Sequence, residues 1–125
     1  MRFATASLLA ATLSTTALAE PTALSAPDVI ALLSGNTAIG LWGDSAYRQY
    51  FSENGVTFYA VQGRRTDRGN WRVNTDTHAY ESQWRGGSWD PYDVLIENGT
   101  YFWKGGGQLY EFTVVPGQQL DWPAD

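Results

Sequence analysis

The connections constrain this chain more than any other feature. From Ala38 to Val115 it runs as short stretches rich in β-branched and aromatic residues, separated by Gly, Asn, Asp and Pro. No gap approaches the roughly dozen residues that a parallel crossover needs, so successive strands must pair antiparallel. Eight strands are expected: Ala38–Trp42, Tyr47–Glu53, Val56–Gln62, Trp71–Thr75, His78–Arg85, Tyr92–Glu97, Thr100–Lys104 and Gln108–Val115. Asn54-Gly55 and Asn98-Gly99 are two-residue hairpin signals, because a type I′ turn requires positive φ at both central positions. Each follows a glutamate, and the triplet recurs 44 residues on (Glu53 to Glu97). Duplication of a four-strand unit or two independent uses of a common turn would each produce that recurrence, and the turn chemistry favours the second.

Ahead of the strands, Ser25-Ala26-Pro27-Asp28 reads as a helix start, with Ser25 as N-cap and Asp28 completing a capping box. Val29, Ile30 and Leu33 form one apolar face, and Gly35 suits the position past the helix end. The spacing predicts a helix over about 26–34. A helix that short is marginal alone, so its stripe must dock on the sheet. Phe102 is its expected partner, because the seventh strand is apolar on both faces. The fold class is therefore all-β: a short N-terminal helix followed by a meander of about eight strands. An up-and-down (calycin-like) barrel or a strongly curled sheet is expected, since closure removes exposed edges.

Met1-Arg2-Phe3, the uncharged Ala/Leu/Ser/Thr run from Ala4 to Leu18, and Ala17-Leu18-Ala19 before Glu20 form the three parts of a secretory signal. The run is too short and too diluted by Thr to span a bilayer. Residues 1–19 are expected to be a cleaved signal peptide and 20–125 a single domain, periplasmic or secreted and not membrane-embedded. Removing 19 of 125 residues leaves 106, enough for one modest core. Six Trp, seven Tyr and five Phe argue against disorder. Thirteen acidic residues against eight basic ones leave no footprint for nucleic acid. The absence of Cys excludes thiol chemistry and disulfides.

Strand alternation sorts the side chains into two faces. Trp71, Val73 and Thr75 share one face, as do His78, Tyr80, Ser82 and Trp84, then Tyr92, Val94 and Ile96, then Tyr110, Phe112 and Val114. Charges fall on the opposite face, so the aromatic face is inward. Trp71, His78, Tyr80, Trp84, Tyr101 and Trp103 are the expected lining of a ligand cavity. The competing expectation is that the same rings simply fill the barrel.

Catalytic signatures fail one by one. Asp76, His78 and Glu81 are the best metal candidates, but one His and no Cys fall short of a zinc set. Asp90, Asp93 and Asp44 lie in Gly- and Pro-rich turns, where acids serve turn chemistry. Gly43-Asp44-Ser45 and Gly87-Ser88-Trp89 lack the nucleophile-elbow pattern. No catalytic residue, metal or cofactor is expected, and the chain reads as a non-enzymatic binder. One cluster stands apart: Arg64, Arg65, Arg68 and Arg72 fall within nine positions of an acidic chain. Their loop could bind a carboxylate, a phosphate or an acidic partner through bidentate contacts.

Leu24-Ser25-Ala26-Pro27-Asp28-Val29-Ile30-Ala31-Leu32-Leu33-Ser34-Gly35-Asn36-Thr37, then Gly69-Asn70-Trp71-Arg72-Val73 and Tyr92-Asp93-Val94, resemble small exported bacterial proteins of an uncharacterised domain family. That resemblance implies export and a small compact domain, and brings no assigned chemistry. Two functions follow as expectations. The first is an exported barrel that binds a small ligand or an envelope component in its aromatic interior. The alternative is an interaction or inhibitor module acting through the Arg64–Arg68 loop, with Trp42 and Trp89 as exposed aromatic contacts.

Overall fold

The computed structural model describes residues 20–123, so the expected signal segment lies outside the described residues. A two-residue strand β1 (Thr22–Ala23) leads into the helix α1 (Ala26–Leu33). Eight strands follow: β2 (Asn36–Trp42), β3 (Ser45–Phe51), β4 (Val56–Val61), β5 (Asp67–Val73), β6 (Tyr80–Trp84), β7 (Asp90–Glu97), β8 (Thr100–Gly105) and β9 (Gln108–Pro116). Each pairs antiparallel with the next, and β9 pairs back onto β2 from Asn36↔Pro116 to Gly40↔Phe112. The meander is thus a closed eight-stranded barrel. β1 extends it on the outside of the order, taking the edge of β7 at Leu95 and Ile96, beyond the stretch paired with β6.

Register carries one face around the whole circuit. Gly40 faces Tyr47, Gln49 faces Tyr59, and Tyr59 faces Asp67; Trp71 faces Ser82, and Ser82 faces Asp90. Val94 faces Trp103, Trp103 faces Tyr110, and Phe112 returns to Gly40. This is the inward face expected from alternation, and the barrel closes without a flip of parity. Leu95, Phe102 and Glu111 are paired on the outer face. Phe102 therefore points away from the interior and is not the partner of the helix stripe, as the sequence had suggested.

The stripe instead plugs one end of the barrel. Val29 and Leu33 are fully buried in one cluster with Ala38, Phe51, Trp71, Tyr80, Val94, Trp103 and Phe112. Phe51 meets both Trp71 and Tyr80 edge to face, at ring separations of 5.5 and 5.6 Å. Trp103 stacks on Phe112 at 4.1 Å. The α1 end of the barrel is also where the β3–β4, β5–β6 and β7–β8 turns lie.

Three local expectations need correction. Ser25 occupies the N-cap position, but its side chain makes no capping hydrogen bond. The backbone N–H of Ala26 donates instead to His78 Nδ1 at 2.8 Å, across 52 residues. His78 is not on an inward strand face. It sits exposed in the β5–β6 loop with φ 66°, outside β6, and Thr75 is likewise in that loop. Asn74 holds the loop in shape: its Oδ1 accepts from the N–H groups of Asp76 and Thr77, and its carbonyl accepts from His78 N–H at 2.7 Å. An accepting Nδ1 carries no proton, so the ring proton is on Nε2. The two Asn-Gly turns also differ. Asn98 (φ 48°) and Gly99 (φ 79°) form the expected two-residue turn between Glu97 and Thr100. At Asn54-Gly55 only the glycine is left-handed, and the turn widens to Ser52–Val56, closed by Ser52 N–H donating to the Val56 carbonyl at 2.8 Å.

Substituting His78 removes a helix cap supplied from 52 residues along the chain. His78→Ala is expected to lower unfolding free energy by about 1 kcal/mol, the usual cost of a lost cap. Urea denaturation reads this directly, and an unchanged midpoint would show that the helix start does not depend on the imidazole.

Candidate functional site

The opposite end of the barrel, where β2 meets β3, β4 meets β5, β6 meets β7 and β8 meets β9, is open. It holds a cavity of about 410 Å³, within the size range of small-molecule sites. An eight-stranded barrel can either fill its interior or leave a cavity, and here one end is filled while the other keeps open space. Tyr80, Ser82 and Trp103 line the inner part of the cavity, with Tyr47 and Gln49 from β3. Trp42, Tyr59, Trp84 and Tyr92 form its walls, and Asp67, Arg85 and Asp90 stand among the lining groups nearest the loops.

Three of the aromatic rings lining the cavity lean on glycines. Gly40, Gly69 and Gly105 each face inward, and a Cβ on them would press on Tyr47, Trp84 and Tyr92 respectively. At Gly69 the clash would be with Trp84 ring carbons from 2.6 Å and with the Gln83 carbonyl oxygen at 2.6 Å. Missing side chains on these strands let the rings lie back against the wall, which leaves the centre open. The rings then brace one another. Trp42 stacks on Tyr110 at 4.4 Å and meets Tyr92 edge to face at 5.7 Å. Tyr47 stacks on Tyr59 at 5.2 Å, and Tyr59 meets Trp84 edge to face at 6.1 Å.

Beneath the rings lies a polar layer, fixed by hydrogen bonds. Trp103 Nε1–H donates to Tyr47 Oη at 2.9 Å. Gln49 Nε2 donates to Tyr80 Oη and to Thr57 Oγ1, both at 3.0 Å, and Thr57 Oγ1 donates on to the Tyr50 carbonyl at 2.8 Å. Both amide hydrogens of Gln49 are thereby used, and its Oε1 is left as an acceptor. Burial pushes the Tyr47 phenol up to about 12 and Tyr80 higher still, with Trp103 partly offsetting the first and Ser82 and Gln49 the second. Burial also raises Tyr59 and Tyr92, the latter helped by the nearby Asp90 carboxylate. All four phenols are neutral at physiological pH and serve as hydroxyl donors or acceptors. Among the lining charges, Asp67 Oδ2 is paired with Arg85 at 2.7 Å, and Asp67 Oδ1 accepts from Arg68 N–H.

Of the six residues expected to line a cavity, the fold brings Tyr80, Trp84 and Trp103 together in it. Trp71 belongs to the plugged end, where its Nε1–H donates to the Ser52 carbonyl at 2.8 Å. Tyr101 stacks on Phe112 at 5.8 Å and does not line the cavity, and His78 caps the helix. The four arginines do not form one cluster. Arg64 and Arg65 are exposed on the β4–β5 loop, at the open end. Arg68 is exposed on β5, while Arg72 lies further along the outer face, paired with Glu81 at 2.7 Å and stacked 3.9 Å over Trp89. Trp89 is thus engaged, and Trp42 is a wall of the cavity. Glu81 is committed to Arg72 and cannot join Asp76 and His78. Among the described residues no group of His, Cys, Asp or Glu is arranged to hold a metal ion.

Tyr47, Gln49 and Tyr59 were within reach of the alternation argument, since Tyr47, Gln49 and Phe51 alternate along β3. Trp42, Asp67 and Asp90 were not, because they sit where strands run into loops. Comparison with protein-family models, curated proteins and solved structures finds no match. Among the described residues no helix is long and apolar enough to cross a membrane.

Two measurements follow. Tyr47 and Tyr80 resist ionisation in the fold, whereas an unfolded tyrosine ionises near its ordinary value of 10. Their neutral state stabilises the protein fully below pH 10; the Tyr47 contribution is lost as pH rises through about 12, and that of Tyr80 at higher pH still. Phenolate absorbance should therefore rise in two stages, with the second coinciding with loss of near-ultraviolet circular dichroism. A single stage centred near 10 in the folded protein would contradict the burial of these phenols. Gly69→Ala should drive Trp84 toward the cavity and destabilise the fold by about 1–3 kcal/mol, as overpacking does.

Proposed function

We propose that this protein is an exported, non-enzymatic binding protein that takes one small ligand into the open end of its barrel. The observation that carries this reading is the division of the interior: one end is plugged by a helix, while the other keeps a cavity whose aromatic walls are set back by glycines. A protein that needed only a core would gain stability by filling that space. The braced rings and hydrogen-bonded polar layer form a preorganised surface, with little rotamer entropy left to lose on binding. The lining carries no His or Cys, and among the described residues no group is arranged to hold a metal ion, so this reading assigns the cavity recognition rather than turnover. Export rests on the N-terminal sequence pattern, and the resemblance to small exported bacterial proteins agrees with it.

Native mass spectrometry of protein purified gently from the exported fraction, compared with a denatured sample, tests both parts. The expected polypeptide begins at Glu20, and the folded form carries extra mass that denaturation removes. Trp84→Ala and Trp42→Ala should each weaken ligand binding by about tenfold or more, since a buried aromatic contact contributes on the order of 1–3 kcal/mol. Bare polypeptide in every preparation, with no tryptophan fluorescence response to a library of small aromatic and aliphatic compounds, would overturn the reading.

A further inference from the structure

We infer that the cavity selects an organic cation, an amine or amidine carried on a small apolar body. The inference rests on the cavity being a ligand site, as proposed above, and adds the charge of what enters it. Three charged side chains line the space, two carboxylates and one guanidinium. Asp67 and Arg85 neutralise one another at 2.7 Å, and Arg85 is largely solvent-exposed. Asp90 forms no ion pair among the described residues, so the lining keeps one unbalanced negative charge at its entrance.

The interior has the same bias. Trp42, Tyr59, Trp84 and Tyr92 supply the aromatic groups to which cations are attracted through the ring quadrupole. Gln49, with both amide hydrogens committed inside the protein, turns an acceptor rather than a donor toward an arriving group. Within the lining an anion would meet only a guanidinium that already has its carboxylate, since Arg64 and Arg65, on the β4–β5 loop of the same end, stand outside the lining. A neutral guest would satisfy the rings but leave Asp90 unpaired. The chain as a whole has a formal net charge of −5, which favours the approach of cations over anions.

Three compounds of one ring size separate the possibilities: benzylammonium, benzyl alcohol and benzoate, titrated into the folded protein at neutral pH and low salt by calorimetry and tryptophan fluorescence. The ammonium is expected to bind at least about tenfold more tightly than either of the others. In Asp90→Asn its advantage over the alcohol should collapse toward unity, and added salt should erode it in the parent. Equal or tighter binding of the alcohol or the carboxylate, or an ammonium preference untouched by Asp90→Asn, would overturn the charge assignment and leave the binding site standing. If none of the three compounds produces heat or fluorescence change, the charge assignment falls, and the binding site is decided separately by the native mass spectrum and the wider compound library.

Discussion

The pairing of β2 with β9 is the interaction on which the rest depends. It joins the first and last strands of the meander over Asn36–Gly40 and Phe112–Pro116, and turns a curled sheet into a barrel with an inside. Without it, Ala38, Gly40 and Phe112 would face solvent along two open edges. With it, every inward residue acquires neighbours across the interior as well as along the sheet. Hence Phe51 of β3, Trp71 of β5, Trp103 of β8 and Phe112 of β9 can belong to one cluster.

Closure creates a problem at each end, and the two ends solve it differently. At one, α1 lays Val29 and Leu33 into the opening, and His78 from the β5–β6 loop satisfies the first helical N–H. Helix and loop are thereby tied together on top of a dry aromatic core. At the other end no element crosses the opening. The rings there are held by one another and by hydrogen bonds to the layer below, and inward glycines keep them against the wall. A stable floor is a precondition for such a cavity: Tyr80 and Trp103 belong to the core cluster and to the cavity lining at once.

Charge is partitioned with the same economy. Arg72 and Glu81 pair on the outer face under Trp89, and Asp67 and Arg85 pair at the open end. Among the described residues Asp90 is left as the lining carboxylate without an ion pair. The C-terminal segment contributes on the outer wall, where Thr37 Oγ1 donates to the Gly117 carbonyl and Arg48 reaches the Gln119 carbonyl.

By itself the sequence determined the all-β class, the single helix, the eight antiparallel strands and the inward face of most of them. These are local consequences: strand period, turn residues and connection length act over a few positions, where one sequence suffices. Tertiary structure decided what depends on distant partners. Whether the helix stripe met Phe102 or the barrel end depended on which face of β8 closed inward. His78 looked like part of an inward row, but the strand starts two residues later and the loop turns its ring toward a helix 52 residues away. Arg72 left the arginine cluster because an outward position on β5 faces Glu81 on β6. The cavity too was fixed only on closure, since an empty space is defined by residues from several strands meeting, or failing to meet, across it.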